Sequence, residues 1–346
     1  MVASPLRLAS MSSSRFVRLA SVLAVAAVSL VGVPASAGLA AAAPAVPADS
    51  GVASTISSEK QITPYRVDLT VTSASMGGDV KVTVLSPTGD APRPSIYMLD
   101  GAGAGEDVSD WITKGGAEEF FAGRNVNAVF PAGGAASFYT NWLKEDPKIG
   151  RPQWETFLTR ELPPLIDARF HGNGSNGVAG LSMGGQSAFT LSSRNPGLYR
   201  AIGSLSGCPV ITGAKNEAFV KATAAMYGGN AEKMWGPAGG EYWRSHDPQF
   251  RLDALRGTTI YMESAQGKPG EPDRRGDPES DLPPQIVYGI ASGVEIGADS
   301  CTREFAVKLT KAKVPFTLDL RRVGTHRWDY WKLGLGRMWK VLEPAL

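Results

Sequence analysis

Two cysteines and three histidines in 346 residues are too few for a dedicated zinc site. Neither sign of charge dominates: 35 basic against 33 acidic residues leave +2, which gives no field to draw in nucleic acid. The chain shows no internal repeat. Apart from one stretch near the start, it also has no apolar run long enough to span a membrane. With 43% hydrophobic and 20% charged residues, the composition is that of a globular protein that buries a core.

The exceptional stretch is N-terminal. Arg7, Arg15 and Arg18 precede the apolar run LASVLAVAAVSLVGV, and PASAG follows it. A positive start, a short apolar core and an A-x-A site read as a secretory signal peptide over residues 1–37, cleaved near Ala37. An uncleaved anchor is the alternative, but the run is short for a spanning helix. Residues 38–62 then read as linker, and residues 63–346 as one catalytic domain. Export bears on the cysteines. Outside the cytoplasm a pair is read as a disulfide, and Cys208 and Cys301 are the only candidates.

Residues 65–87 alternate apolar and polar around ASMGG and predict a hairpin. Short apolar runs at 95–100, 127–133, 177–181, 200–207, 257–264 and 315–324 predict strands. Residues 153–170 carry apolar side chains at helical spacing, bent by Pro163 and Pro164. Strands alternating with helices give an α/β class with a mostly parallel sheet, an N-terminal antiparallel hairpin and a helical insertion at 212–250. Residues 266–285, rich in Gly, Pro and charge, read as a surface loop. The insertion and this loop are both candidate lids.

Gly180-Leu181-Ser182-Met183-Gly184 matches G-x-S-x-G, with an apolar strand before it and a helix after it. Such a strand-to-helix elbow exposes the serine hydroxyl above the sheet, and the glycines avoid a clash across the turn. A purely structural turn is the bland reading. A serine hydroxyl needs a base to take its proton. His171 precedes the nucleophile strand and suits a local hydrogen bond; His246 reads as a surface or capping residue. His326, in VGTHRWDYW after the last strand, lies where strand C-termini gather. Glu263, Glu295 and Asp299 are all placed by chain order to orient it, and periodicity does not choose among them. The oxyanion hole calls for the N–H of Met183 and one from the loop after strand 95–100, where Ala102 is the candidate.

YMLDGAGAGEDVSDW, VFPAGGAASFYTNW, WETFLTRELPPLI, GLSMGGQSAF, MWGP and GTHRWDYW occur in an order and spacing that resemble the secreted mycolyltransferases of the antigen 85 type. The resemblance covers about 65–340. It implies an α/β-hydrolase fold, no cofactor, and transfer of a mycolic acyl chain between trehalose esters or onto cell-wall arabinogalactan in the cell envelope. Carried over, Ser182 is the nucleophile, His326 the base and Glu295 the acid. Asp100 and Trp328 then lie at the sugar-binding mouth. The sequence departs from the family at Ala102-Gly103-Ala104, where those proteins carry a sugar-binding arginine, and it has no recognisable fibronectin-binding stretch. The cysteine placement resembles corynebacterial-type members. The competing expectations are a secreted carboxylesterase of the esterase D type and a non-catalytic carbohydrate-binding relative.

Overall fold

The computed structural model describes residues 53–275 and 280–346. The expected signal peptide and most of the expected linker lie outside them. Among the described residues nine strands form one sheet: β1 Thr55–Thr63, β2 Arg66–Ser73, β3 Gly78–Leu85, β4 Arg93–Leu99, β5 Asn127–Pro131, β6 Gly172–Leu181, β7 Ala201–Leu205, β8 Thr259–Ala265 and β9 Thr317–Arg321. Their order is β1-β2-β3-β5-β4-β6-β7-β8-β9. The pairings from β1 to β5 across β2 and β3 are antiparallel, and every pairing from β5 to β9 is parallel. This is the mostly parallel α/β sheet with an antiparallel hairpin at its N-terminal side that the strand spacing predicts.

The helices are α1 Asp110–Thr113, α2 Ala117–Phe121, α3 Trp154–Thr156, α4 Leu162–Phe170, α5 Met183–Arg194, α6 Ala214–Met226, α7 Ala231–Trp235, α8 Glu241–His246, α9 Glu271–Arg274, α10 Pro284–Lys311 and α11 Trp328–Leu342. Period-2 alternation in the central strands divides the core between two faces of the sheet. Tyr97, Leu99, Val129, Val178 and Ile202 join one cluster, and their neighbours Ile96, Met98, Ala128, Phe130 and Ala179 join the other.

Three segments differ from expectation. Residues 55–62, expected as linker, form edge strand β1 together with Thr63. Nearly all its side chains face solvent, so its sequence carries no apolar alternation; backbone pairing with β2 holds it, and register shifts interrupt that pairing. Residues 154–170 are helical throughout. A π-helical segment, Phe157–Glu161, joins α3 to α4, and Leu162 N bonds back to Phe157 O just ahead of Pro163 and Pro164. The wider turn accommodates prolines that have no N–H to give. The third is α10, which runs unbroken for 28 residues from Pro284 and absorbs both the end of the expected loop and Glu295.

Candidate active site

The register of the parallel strands sets out the site. Leu99 pairs with Gly180, Leu181 with Leu205, and Leu205 with Glu263. The first residues past β4, β6 and β7 therefore meet at one edge. Ser182 follows β6 with φ 51° and ψ −121°, a conformation that L-residues rarely take. A side-chain carbon on Gly180 would lie 2.5 Å from the Gly184 carbonyl carbon, and one on Gly184 would lie 2.4 Å from Asp100 O. Any larger residue at either position would force the elbow open.

The Ser182 hydroxyl lies 2.8 Å from His326 Nε2, and His326 Nδ1 lies 2.8 Å from Glu295 Oε2. His326 stands in the turn between β9 and α11, with a side chain 12% exposed; the Glu295 carboxylate comes from α10 and is 1% exposed. With a carboxylate at Nδ1, that nitrogen carries the proton and Nε2 is free to accept one from the serine. The other oxygen, Glu295 Oε1, accepts from Ser206 Oγ at 2.9 Å and from Ala265 N at 2.8 Å. Ser206 follows β7 at φ 52° and accepts from Trp331 Nε1 at 3.0 Å. The Trp331 ring stands edge-on to the His326 ring, with centroids 4.8 Å apart. Ser206, Ala265 and Trp331 were not singled out from the sequence. Two of them have a sequence cue: Ser206 follows the strand next to the nucleophile strand, and Trp331 closes the GTHRWDYW segment.

The alternative acids are engaged elsewhere. Glu263 accepts from Arg337 Nε at 2.9 Å and from the Tyr261 hydroxyl at 2.7 Å. Asp299 accepts from Ser264 Oγ and Arg303 Nε, each at 2.7 Å. His246 is buried, not a surface residue: its Nδ1 donates to Tyr242 O at 2.7 Å, and its ring stacks with those of Trp235 and Tyr242. Burial, helped by the Arg194 charge, pushes its pKa well below the usual range and keeps it neutral. His171 caps α4 in a left-handed conformation, with its Nε2 3.4 Å from Asp90.

The loop after β4 passes directly beside the serine. A side-chain carbon on Gly101 would sit 3.6 Å from Ser182 Cβ. Ala102 holds this loop by accepting from Ala136 N at 3.0 Å. Met183 opens α5, so its N–H has no acceptor within the helix. The structure corrects the expectation for Asp100. Its side chain is fully buried beneath the loop and accepts from the Asp110 and Trp111 N–H groups, so it does not stand at a mouth. Trp328 is half-buried, edge-on to both Trp111 and Trp331. Beside Ser182 lies a small apolar cavity of about 20 Å³ whose lining includes Phe138, Met183, Phe219 and Val220. Cys208 also lines it and is bonded to Cys301 on α10. Among the described residues, no group of three or more His, Cys, Asp or Glu is placed to hold a metal ion, and no helix is long and apolar enough to cross a membrane.

A parallel-led sheet with helices on both faces and a serine on the elbow after its central strand defines an α/β-hydrolase. Comparison with known proteins takes this further. The model of the putative esterase family matches residues 73–341. The diacylglycerol acyltransferase/mycolyltransferase Ag85A of Mycobacterium leprae is 32% identical over 288 residues, covering 80% of this chain and 82% of that protein. The crystal structure of Mycobacterium tuberculosis MPT51 superposes with a TM-score of 0.65 at 29% identity, covering 79% of this chain and 96% of that one. An S-formylglutathione hydrolase from Agrobacterium tumefaciens shares the fold at 17% identity, with a TM-score of 0.57 over 83% of this chain and 99% of that one. The chain belongs to the antigen 85 type of α/β-hydrolases, within the putative esterase family.

Proposed function

We propose that the protein is a serine acyltransferase that takes a long-chain, mycolyl-type acyl group from a trehalose ester and passes it to a second sugar hydroxyl. The acceptor is another trehalose ester or cell-wall arabinogalactan. The observation that carries the reading is the chain of hydrogen bonds from Ser182 through His326 to Glu295, in a protein one-third identical to a named mycolyltransferase. In this mechanism His326 Nε2 takes the hydroxyl proton as Ser182 attacks the ester carbonyl. Glu295 holds the imidazole in the required tautomer and stabilises the imidazolium. The Ala102 and Met183 N–H groups bind the developing oxyanion. The imidazolium then gives its proton to the departing sugar oxygen. A second sugar hydroxyl repeats the sequence in reverse against the acyl-serine, and Trp328 forms part of the wall that seats it. No cofactor takes part. The signal peptide at 1–37 sends the enzyme to the cell envelope, where these substrates lie.

One observation favours a second reading, a secreted carboxylesterase. The cavity beside Ser182 has room for about one water molecule, so a long acyl chain enters only if the wall that Phe219 and Val220 of α6 provide gives way. Incubating the protein with trehalose monomycolate separates the readings. The expected products are dimycolate and free trehalose, and Ser182→Ala should lower turnover by about 10⁴ or more. Free mycolic acid as the main product would favour the esterase. Absence of turnover, or full activity in the alanine variant, would overturn the acyl-serine mechanism.

A further inference from the structure

Of the three residues in the hydrogen-bonded chain, His326 stands in the longest irregular connection, the six residues 322–327 between β9 and α11. Ser182 is locked in its elbow and Glu295 sits mid-helix. Beneath the His326 turn lies a cavity of about 10 Å³, lined in part by Ser206, Glu295, Gly324, Thr325 and Trp331. A void in the lining forfeits contacts on that side, so packing of the turn is incomplete there. Hydrogen bonds must supply what packing does not.

One anchors His326 itself: its backbone N donates to Ala291 O of α10 at 3.1 Å. The others come from the segment expected as a surface loop. Gln266–Arg275 leaves β8 and folds back as a strap over the turn. Gln266 N donates to Arg321 O at 3.0 Å, and Lys268 O accepts from Gly324 N at 2.9 Å. At the far end of the strap, Asp273 is fully buried. Its Oδ1 accepts from Thr325 Oγ1 at 2.6 Å. Its Oδ2 accepts from the Tyr330 hydroxyl at 2.5 Å and from Gly270 N at 2.8 Å, the last bond closing its own short helix. Arg327 Nη1 lies 4.0 Å away. A buried carboxylate is tolerable only when its oxygens are satisfied, and charge-assisted bonds of this kind are roughly twice as strong as neutral ones. Two of the donors come from residues 52 and 57 positions away in sequence. Those two flank His326, one residue before it and four after it.

We propose that Asp273 is the positioning residue for the base: it clamps both ends of the His326 turn so that the imidazole reaches Ser182 and Glu295 together. Its kinetic meaning rests on the acyl-transfer reading; its geometric meaning does not. The isosteric variant Asp273→Asn removes the charge and one acceptor while keeping the volume. A misplacement of about 1 Å at a reacting group costs on the order of 10²-fold in rate. We therefore expect kcat on p-nitrophenyl butyrate to fall by about 10- to 100-fold, with KM changed by less than about threefold. By proton NMR, the far-downfield Nδ1–H signal of His326 bonded to Glu295 should broaden or vanish. Thr325→Val removes one donor and leaves the carboxylate; it should give a smaller fall in kcat that does not add to the Asp273→Asn effect. It also serves as the test should Asp273→Asn fail to fold.

A folded Asp273→Asn protein with wild-type kcat and an unchanged downfield signal would overturn the proposal, as would full additivity of the two substitutions. If Ser182→Ala kept wild-type turnover, the acyl-serine reading would fall, and the NMR signal would still decide what the strap does.

Discussion

Asp100 carries a carboxyl group shut away from water directly below the loop that meets Ser182. Burial pushes its pKa up to about 7. The Ser109 hydroxyl and the Asp110 and Trp111 N–H groups pull it back, and the Asp110 charge adds to the rise. In the unfolded chain an aspartate titrates near 3.9. Between those two values the native state binds more protons than the unfolded one, so stability falls as pH rises from about 4 to about 7 and is level above that. Asp100→Asn has no such titration. The unfolding free energy of the variant minus that of the wild type should therefore grow by a few kcal/mol, about 4 at most, from pH 4 to pH 8. Denaturant unfolding at both pH values measures it, and a difference independent of pH would show an ordinary carboxyl. At this scale the sequence is uneven. His326 is readable because only three histidines compete for the role. From chain order alone the acid stays open, because Glu263, Glu295 and Asp299 all lie within reach; the family resemblance points to Glu295, and in the structure the three differ by the Glu295 bond to His326, the Arg337 partner of Glu263 and the Ser264 partner of Asp299. Asp273 is hidden in a stretch whose composition is that of a loop.

Helix α10 shows why an element escapes a reading by periodicity. Gly289, Gly293 and Gly297 recur every four residues along one face, and a side-chain carbon on any of them would meet nothing within 4 Å. Each glycine costs about 1 kcal/mol relative to alanine in a helix interior, so the local signal is that of a loop. Contacts from the opposite face hold the helix: Glu295, Ala298, Cys301, Phe305 and Leu309 are all buried. Strand β1 is missed for the related reason that backbone pairing, not side-chain burial, makes it a strand. Where both signals coincide, as in the apolar strand and helix around Ser182, sequence and structure agree closely. The open stripe gives a direct test. Gly293→Ala should raise stability by about 0.5–1 kcal/mol, or roughly 1–3 °C in melting midpoint, because it restricts the unfolded chain and meets no neighbour. Turnover should stay at the wild-type level, since Gly293 lies nearly opposite Glu295 around the helix. A lower midpoint would mean that this part of α10 is not the open helix described.

Across the molecule, one covalent link joins the two halves of the site. Cys208 lies three residues beyond β7, two beyond Ser206, and Cys301 lies six residues beyond Glu295 on α10. Their Cα atoms are 4.9 Å apart, closing a loop 93 residues in sequence. Within that loop lie the helical insertion, β8 and the strap, so the bond fastens α10 against the sheet after the chain has made its longest excursion. The pairing itself is legible from a count of two cysteines in a chain expected to be exported. Its position near the acid is legible only once Glu295 is taken as that acid, because the segment around Glu295 must then cross the C-terminal edge of the sheet near Cys208; the Ser206–Glu295 bond beside it is seen only in the structure. In the chain-entropy model, closing a loop of this length contributes about 4–5 kcal/mol. A folded domain has only about 5–15 kcal/mol in all. Replacing both cysteines with serine should therefore lower the melting midpoint by on the order of 10 °C. Activity should respond differently from a general loss of fold. Below the new midpoint the sheet and Ser182 stay in place while α10 loses its tether, so turnover should drop at temperatures where the circular dichroism of the variant is still native. Reducing the wild-type protein with dithiothreitol should reproduce that drop, and reoxidation should restore it. If the double serine variant kept full turnover up to its own melting point, the disulfide would stabilise the fold without holding Glu295 in place, and the acid would owe its position to the packed face of α10 and to its bonds with Ser206 and Ala265.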